Sequence, residues 1–311
     1  MYPLESSGIK KVVLALALLL VSGNAQTPLL DQVRASNTRG DFATADKLIE
    51  TYRQKFGVNP ELALAMSWQA RGALVLGKLE QAETYADRAR DLALRQLKNR
   101  KLDAETLVPL ALGASMEVHA QVMARRGETS SAIAFLETER RTYAGTSIVE
   151  RIVKNINLLS LKGKRAPSLD AADWIGTKPA AWASYRGKPV LVFFWAHWCP
   201  DCKDLSPVLA NVMRRYGARL NVVAPTRYYG YIENGTDAAK PVEKRYIGQI
   251  RDRYYSPLAS VATPLSNTIF ETYGCSSTPT LALIDKLGIV RWYHPGTATE
   301  GELIREIEAL L

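Results

Sequence analysis

Between residues 26 and 160, apolar side chains recur every three to four positions among Ala, Leu, Arg and Glu, the period of helices with one buried face. The pattern predicts helices over 41–56, 61–76, 78–99, 104–126, 128–143 and 146–160. Beyond residue 170 the period changes. Val190 to Trp195 (VLVFFW) is an unbroken β-branched and aromatic run, as expected of a strand covered on both faces. Leu220 to Ala224 and Thr280 to Ile284 read the same way. Gly288 to Tyr293 follows across a turn at Asp285 to Gly288, so the last two strands should form a hairpin. Lys240 to Tyr255 reads as a helix, Val261 to Ser266 as a short strand, and Glu300 to Leu311 as an amphipathic terminal helix. The change of pattern falls in 161–170 (LKGKRAPSLD). This divides the chain into a helical domain at 26–160, a linker at 161–165 and an α/β domain at 166–311.

Three turns in the helical part share one signature, a Gly followed five residues later by an Ala: Gly40/Ala45, Gly77/Ala82 and Gly127/Ala132. Small residues there let antiparallel helices approach closely, and Ala86 and Ala89 continue the pattern in the second copy. Stacked helical hairpins are expected. The array resembles a degenerate tetratricopeptide repeat, with Gly spacings of 37 and then 50 residues rather than a constant period.

The first 25 residues change the picture of where the protein works. Lys10 and Lys11 precede the apolar run Val12 to Val21, and small residues at Gly23 and Ala25 follow, the layout of a cleaved secretory signal. The run is about half the ~20 residues that a membrane span needs. An exported protein is expected, periplasmic or secreted, and membrane-tethered if the signal is retained. No later run approaches spanning length by this reading. The 40 Lys and Arg exceed the 31 Asp and Glu, for a net charge of +9. The excess lies mostly in the helical part, and Arg88 to Lys101 holds six basic residues against Asp91 alone. Without interleaved aromatics this is a solvated helix face, and no nucleic-acid partner is expected. Three Cys in 311 residues exclude a disulfide scaffold.

The chemistry concentrates in Trp195-Ala196-His197-Trp198-Cys199-Pro200-Asp201-Cys202, where a buried strand meets a helix starting near Pro200. Two Cys at this spacing can close a small disulfide. The first lies beside unpaired backbone N–H groups and the positive end of the helix dipole, which stabilise a thiolate. Cys199 is therefore the expected attacking thiol and Cys202, one turn inside, the resolving thiol. Zinc would need a second ligand pair, which Cys275, His119, His197 and His294 do not supply, so no metal is expected. A purely structural role is disfavoured because so short a loop removes little chain entropy.

At these residues the sequence resembles the thioredoxin superfamily, and within it the exported TlpA/ResA-like branch. The resemblance covers 166–311: Ala166-Pro167, Gly187 to Val192, the Cys pair, Thr278-Pro279-Thr280, Ile284 to Gly288 and Gly296, in family order. It implies a thioredoxin-like fold with a central insert, so that the fold class is α+β multidomain. It also implies that Pro279 is cis and faces the disulfide. Substrate contacts are then expected at Thr278 and Pro279, with Trp198 and Pro200 on the same surface.

The chain departs from the family at two positions. Thioredoxin carries a buried acid where Phe193 stands, and ResA-like proteins a Glu where Leu205 stands. Asp204, one position away, is the remaining candidate for proton transfer, and Asp201, between the thiols, for redox tuning. The insert is rich in Tyr (228, 229, 231, 246, 254 and 255), which suits either a partner surface or a helix cover. Cys275 reads as a small buried hydrophobe. His197 is as ready to face solvent as the core. The expected function is an exported thiol–disulfide oxidoreductase, a reductant of protein disulfides that needs no cofactor, supplied by an upstream thiol donor. The alternative is a redox-responsive adaptor whose helical domain binds a protein partner. A single-Cys peroxidase fits the paired thiols poorly.

Overall fold

The computed structural model describes residues 28–311, so the signal-like segment at 1–25 lies outside the described residues. Seven helices come first: α1 (Leu29–Thr38), α2 (Phe42–Phe56), α3 (Pro60–Val75), α4 (Leu79–Leu97), α5 (Leu107–Arg125), α6 (Thr129–Thr142) and α7 (Val149–Ser160). The six helices read from periodicity are present with ends shifted by up to three residues. α1 was not legible. Its apolar contribution is chiefly Leu29 and Val33, one turn apart, and the rest of it is largely polar.

α1 and α2, α3 and α4, and α5 and α6 form hairpins that turn at Gly40, Gly77 and Gly127, all in left-handed conformation. The paired Ala45, Ala82 and Ala132 are each 0% exposed, where a larger side chain would hold the helices apart. α3 and α5 pack on each other in the middle of the stack. α5 is long and apolar enough to cross a membrane, but 61% of its apolar window is buried among the other helices. It is the core helix of the stack, and the sequence reading undervalued its apolarity.

The second half holds β1 (Asp173–Ile175), β2 (Val190–Phe194), α8 (Pro200–Tyr216), β3 (Asn221–Val223), α9 (Lys240–Tyr254), β4 (Thr263–Leu265), α10 (Asn267–Tyr273), β5 (Thr280–Ile284), β6 (Val290–Pro295) and α11 (Glu300–Glu308). Four strands form a mixed sheet in the order β3-β2-β5-β6, with β2 and β3 parallel and the others antiparallel. β1 pairs with β4, and β4 is bridged to the chain following β3. Alternation along β2 and β5 separates two cores. Leu191, Phe193, Leu281 and Leu283 meet α8, α9 and α11. Val190, Val192, Phe194, Ala282 and Ile284 meet α10 on the other face. Each of the larger side chains, fully buried, contributes about 1.5–3 kcal/mol, and Ala282 about 1 kcal/mol or less.

The halves are joined along α7, α10 and β6. Leu161 enters the core on the α10 face of the sheet. The Gly163 amide donates to the Val290 carbonyl at 2.8 Å, and the Val290 amide to the Lys164 carbonyl at 2.9 Å, so the segment after α7 runs bonded along β6. Arg227 pairs with Glu150, and Asn157 donates to the Thr272 carbonyl at 3.2 Å. Gly274, in left-handed conformation, lies so near the α7 backbone that a Cβ there would be 2.3 Å from the Lys154 nitrogen.

Candidate active site

β2 ends at Phe194, and the chain then crosses to α8 through Trp195 to Cys199. Trp195 is fixed at three points. Its amide donates to the Pro225 carbonyl, its indole to the Ala224 carbonyl, and its carbonyl accepts from the Thr226 hydroxyl at 2.8 Å. Pro200 then starts α8 at a position that needs no amide donor. Cys199 is the N-cap. Its sulfur accepts from the Cys202 amide at 3.1 Å and is bonded to the Cys202 sulfur, with Cα atoms 5.3 Å apart.

Both cysteines are buried, at 1% and 0% exposure, so residue exposure does not distinguish them; position in the helix does. Trp198, 45% exposed, projects beside them, and Pro200 and Asp201 are also exposed. Asp204 is exposed one turn further on. On the inner side the thiols share an apolar cluster with Phe193 and Leu205, the two residues that replace family carboxylates. Tyr255 closes the same cluster, its ring against Phe193 and Trp195 and its buried hydroxyl without a hydrogen-bond partner among the described residues.

Thr278 and Pro279 are joined by a cis peptide bond. They enter β5, and Thr280 pairs with Phe194, so this loop and the Cys loop leave the sheet at the same edge. Pro279 is buried, Thr278 half-buried, and Ser276 and Ser277 before them are exposed. Cys275 is buried, with burial pushing its thiol well above the usual range.

His197 faces inward, at 2% exposure. The rings of Tyr229, Tyr231 and Tyr246 stand edge-on around it at 5.3 to 5.4 Å. Its Nε2 is 3.7 Å from the Glu243 carboxylate, itself 0% exposed and held by the amides of Tyr229 (2.5 Å) and Gly230 (3.0 Å). Burial and the nearby Lys203 push the imidazole down to about 4. Tyr229 also meets Trp198 edge-on at 5.6 Å, which links the cage to the exposed side of the Cys loop. Much of the Tyr-rich insert thus covers the Cys loop. The residue that completes the cage, Glu243, was not singled out from sequence; an acid in a helix facing 46 residues back has no local signature.

A family described as "Thioredoxin-like domain" matches residues 179–311. The thioredoxin-like protein YneN of Bacillus subtilis is 27% identical over 150 residues, 47% of this chain and 79% of that protein. The thiol:disulfide interchange protein DsbE of Xylella fastidiosa is 32% identical over 114 residues, 37% of this chain and 50% of its own length. The thiol-disulfide oxidoreductase ResA of Bacillus thuringiensis is 29% identical over 142 residues, 45% of this chain and 73% of that protein. Residues 179–311 thus match a thioredoxin-like domain, and the similar proteins bear the names of thioredoxin-like and thiol–disulfide oxidoreductase proteins.

Proposed function

We propose that the protein is an exported reductant of protein disulfides, with Cys199 as attacking and Cys202 as resolving thiol. The observation that carries this is the position of Cys199 at the N-cap of α8, its sulfur accepting an amide N–H. That hydrogen bond and the helix dipole favour a thiolate. The Cys199 thiolate attacks one sulfur of a substrate disulfide, a mixed disulfide forms, and the other substrate sulfur leaves and takes a proton. Cys202 then loses its proton, attacks the Cys199 sulfur and releases the second substrate thiol. Two thiols of the enzyme are oxidised and one substrate disulfide is reduced; an upstream dithiol restores the enzyme.

The apolar wall of Phe193 and Leu205 offers Cys202 no carboxylate base. Its proton must leave through solvent or through Asp204 when the mixed disulfide opens the site. Thr278, Pro279, Trp198 and Pro200 serve as the surface along which the substrate chain lies. Asp201 opposes a second negative charge beside Cys199 and so disfavours the dithiol, which supports the reducing direction. The signal-like segment at 1–25 supports export, and residues 26–160, a tetratricopeptide-like stack, a domain that holds a partner. Incubating a Cys202→Ser variant with the proteins of its compartment should trap Cys199-linked partners that dithiothreitol releases. Equal trapping by Cys199→Ser would refute the assignment.

A further inference from the structure

We propose that the cleft between the helical stack and the thioredoxin-like domain receives an acidic segment of the polypeptide whose disulfide the enzyme reduces. This deepens the function proposed above and rests on it. The cleft has a volume of about 740 Å³ and takes its walls from both halves of the chain, Arg71 on α3, Arg151 and Lys154 on α7, and Ser276 and Ser277 before β5. Ser277 adjoins Thr278, and the Thr278 loop leaves the sheet at the same edge as the Cys199 loop. Ser277, next to Thr278 in the chain, therefore brings the cleft to the loop over which the substrate backbone is proposed to lie.

The chemistry of the floor selects the ligand. Arg71, Arg151 and Lys154 converge on one carboxylate, Glu117 of α5, at 3.2, 3.0 and 2.7 Å. Arg151 also donates to the Leu110 carbonyl at 3.3 Å and Glu117 also accepts from the Asn155 side-chain amide at 3.3 Å, so three cations share one carboxylate. The two acids that line the cleft are spoken for. Asp103 accepts from the amide and hydroxyl of Ser147, and Glu105 from the first amides of α5, Leu107 and Val108. The three cations around Glu117 thus form a local excess of positive charge beside the cleft. Arg151 and Lys154 are also largely removed from water, which pulls both below their usual range despite Glu117. A second carboxylate in the cleft would offset the local positive charge that one Glu117 leaves among three cations. Arg71, the most exposed of the three, is placed to meet it first.

Binding and turnover test this separately. The oxidised protein is titrated into a dye-labelled, cysteine-free peptide rich in Glu, and into the same peptide with Gln for Glu. The Glu peptide should bind about tenfold more tightly at low salt, the effect of one or two charge-assisted hydrogen bonds. Arg71→Gln should remove most of that preference. Equal binding of the two peptides by the wild-type protein, or a preference that survives in Arg71→Gln, would overturn the proposal; the first comparison needs no variant. The reduced protein is then mixed with disulfide-closed versions of both peptides and with neutral 2,2′-dithiodipyridine. The Glu peptide should be reduced faster than the Gln peptide by a similar factor, with the dipyridine rate unchanged by Arg71→Gln. Equal peptide rates beside a normal dipyridine rate would overturn the cleft as a substrate site, whereas failure to reduce dithiodipyridine would overturn the function instead.

Discussion

Replacing Gly274 by Ala should separate the two halves of the molecule. Gly274 ends α10 at φ 64°, where an L side chain costs about 1–2 kcal/mol. An added Cβ would lie 2.3 Å from the nitrogen and 2.7 Å from the Cα of Lys154. Both are main-chain atoms of α7, so no side chain can swing away, and relief requires α7 and α10 to part. Overpacking of this kind costs about 1–3 kcal/mol more. The sum, about 2–5 kcal/mol, should lower Tm by roughly 3–8 °C for a chain of this size. Gly288 is the matched control: it has φ 82° and nothing within 4 Å of its Cβ position, so Gly288→Ala carries the conformational cost alone. Thermal melts followed by near-ultraviolet circular dichroism would compare the two. If Gly274→Ala melts no lower than Gly288→Ala, the α7–α10 contact is not the constraint argued here.

In the reduced protein, limiting alkylation should label Cys199 before Cys202, since the N-cap position favours its thiolate; peptide mapping that finds Cys202 labelled first would reverse the assignment. The reduction potential, measured in glutathione buffers, should lie nearer about −270 mV than −120 mV. Asp201→Asn should raise it, and no change would mean that the exposed carboxylate is too well solvated to act. His197 should stay neutral from pH 8 down to about 5, because burial holds its imidazole down to about 4, below the ordinary value of about 6.5. The sign follows: the unfolded chain binds the proton first, so stability from this group is present above about 6.5 and is lost as pH falls towards 4. An imidazole resonance titrating at or above 6.5 would show that Glu243, 3.7 Å away, outweighs burial.

The local order of the chain was enough for much of this protein. The 3.6-residue period revealed α2, α4, α6 and α7, which bury one face, while α3 and α5 were legible as long apolar stretches, and the three Gly/Ala turns marked the hairpins. The unbroken run at 190–194 marked a strand covered on both faces, and Cys199-Pro200-Asp201-Cys202 after it marked a helix start with two thiols. α1, α10 and β1 escaped because they are short and bury only a few side chains each, too few to set a period. Tertiary structure alone decided what surrounds the thiols and what joins the halves. His197 and Glu243 lie 46 residues apart, Glu117 collects cations from α3 and α7, and Arg227 meets Glu150 across the domain junction. Contacts of this kind leave no pattern in the chain, since a buried charge is tolerated only where folding delivers its partner, and nothing near it in sequence names that partner.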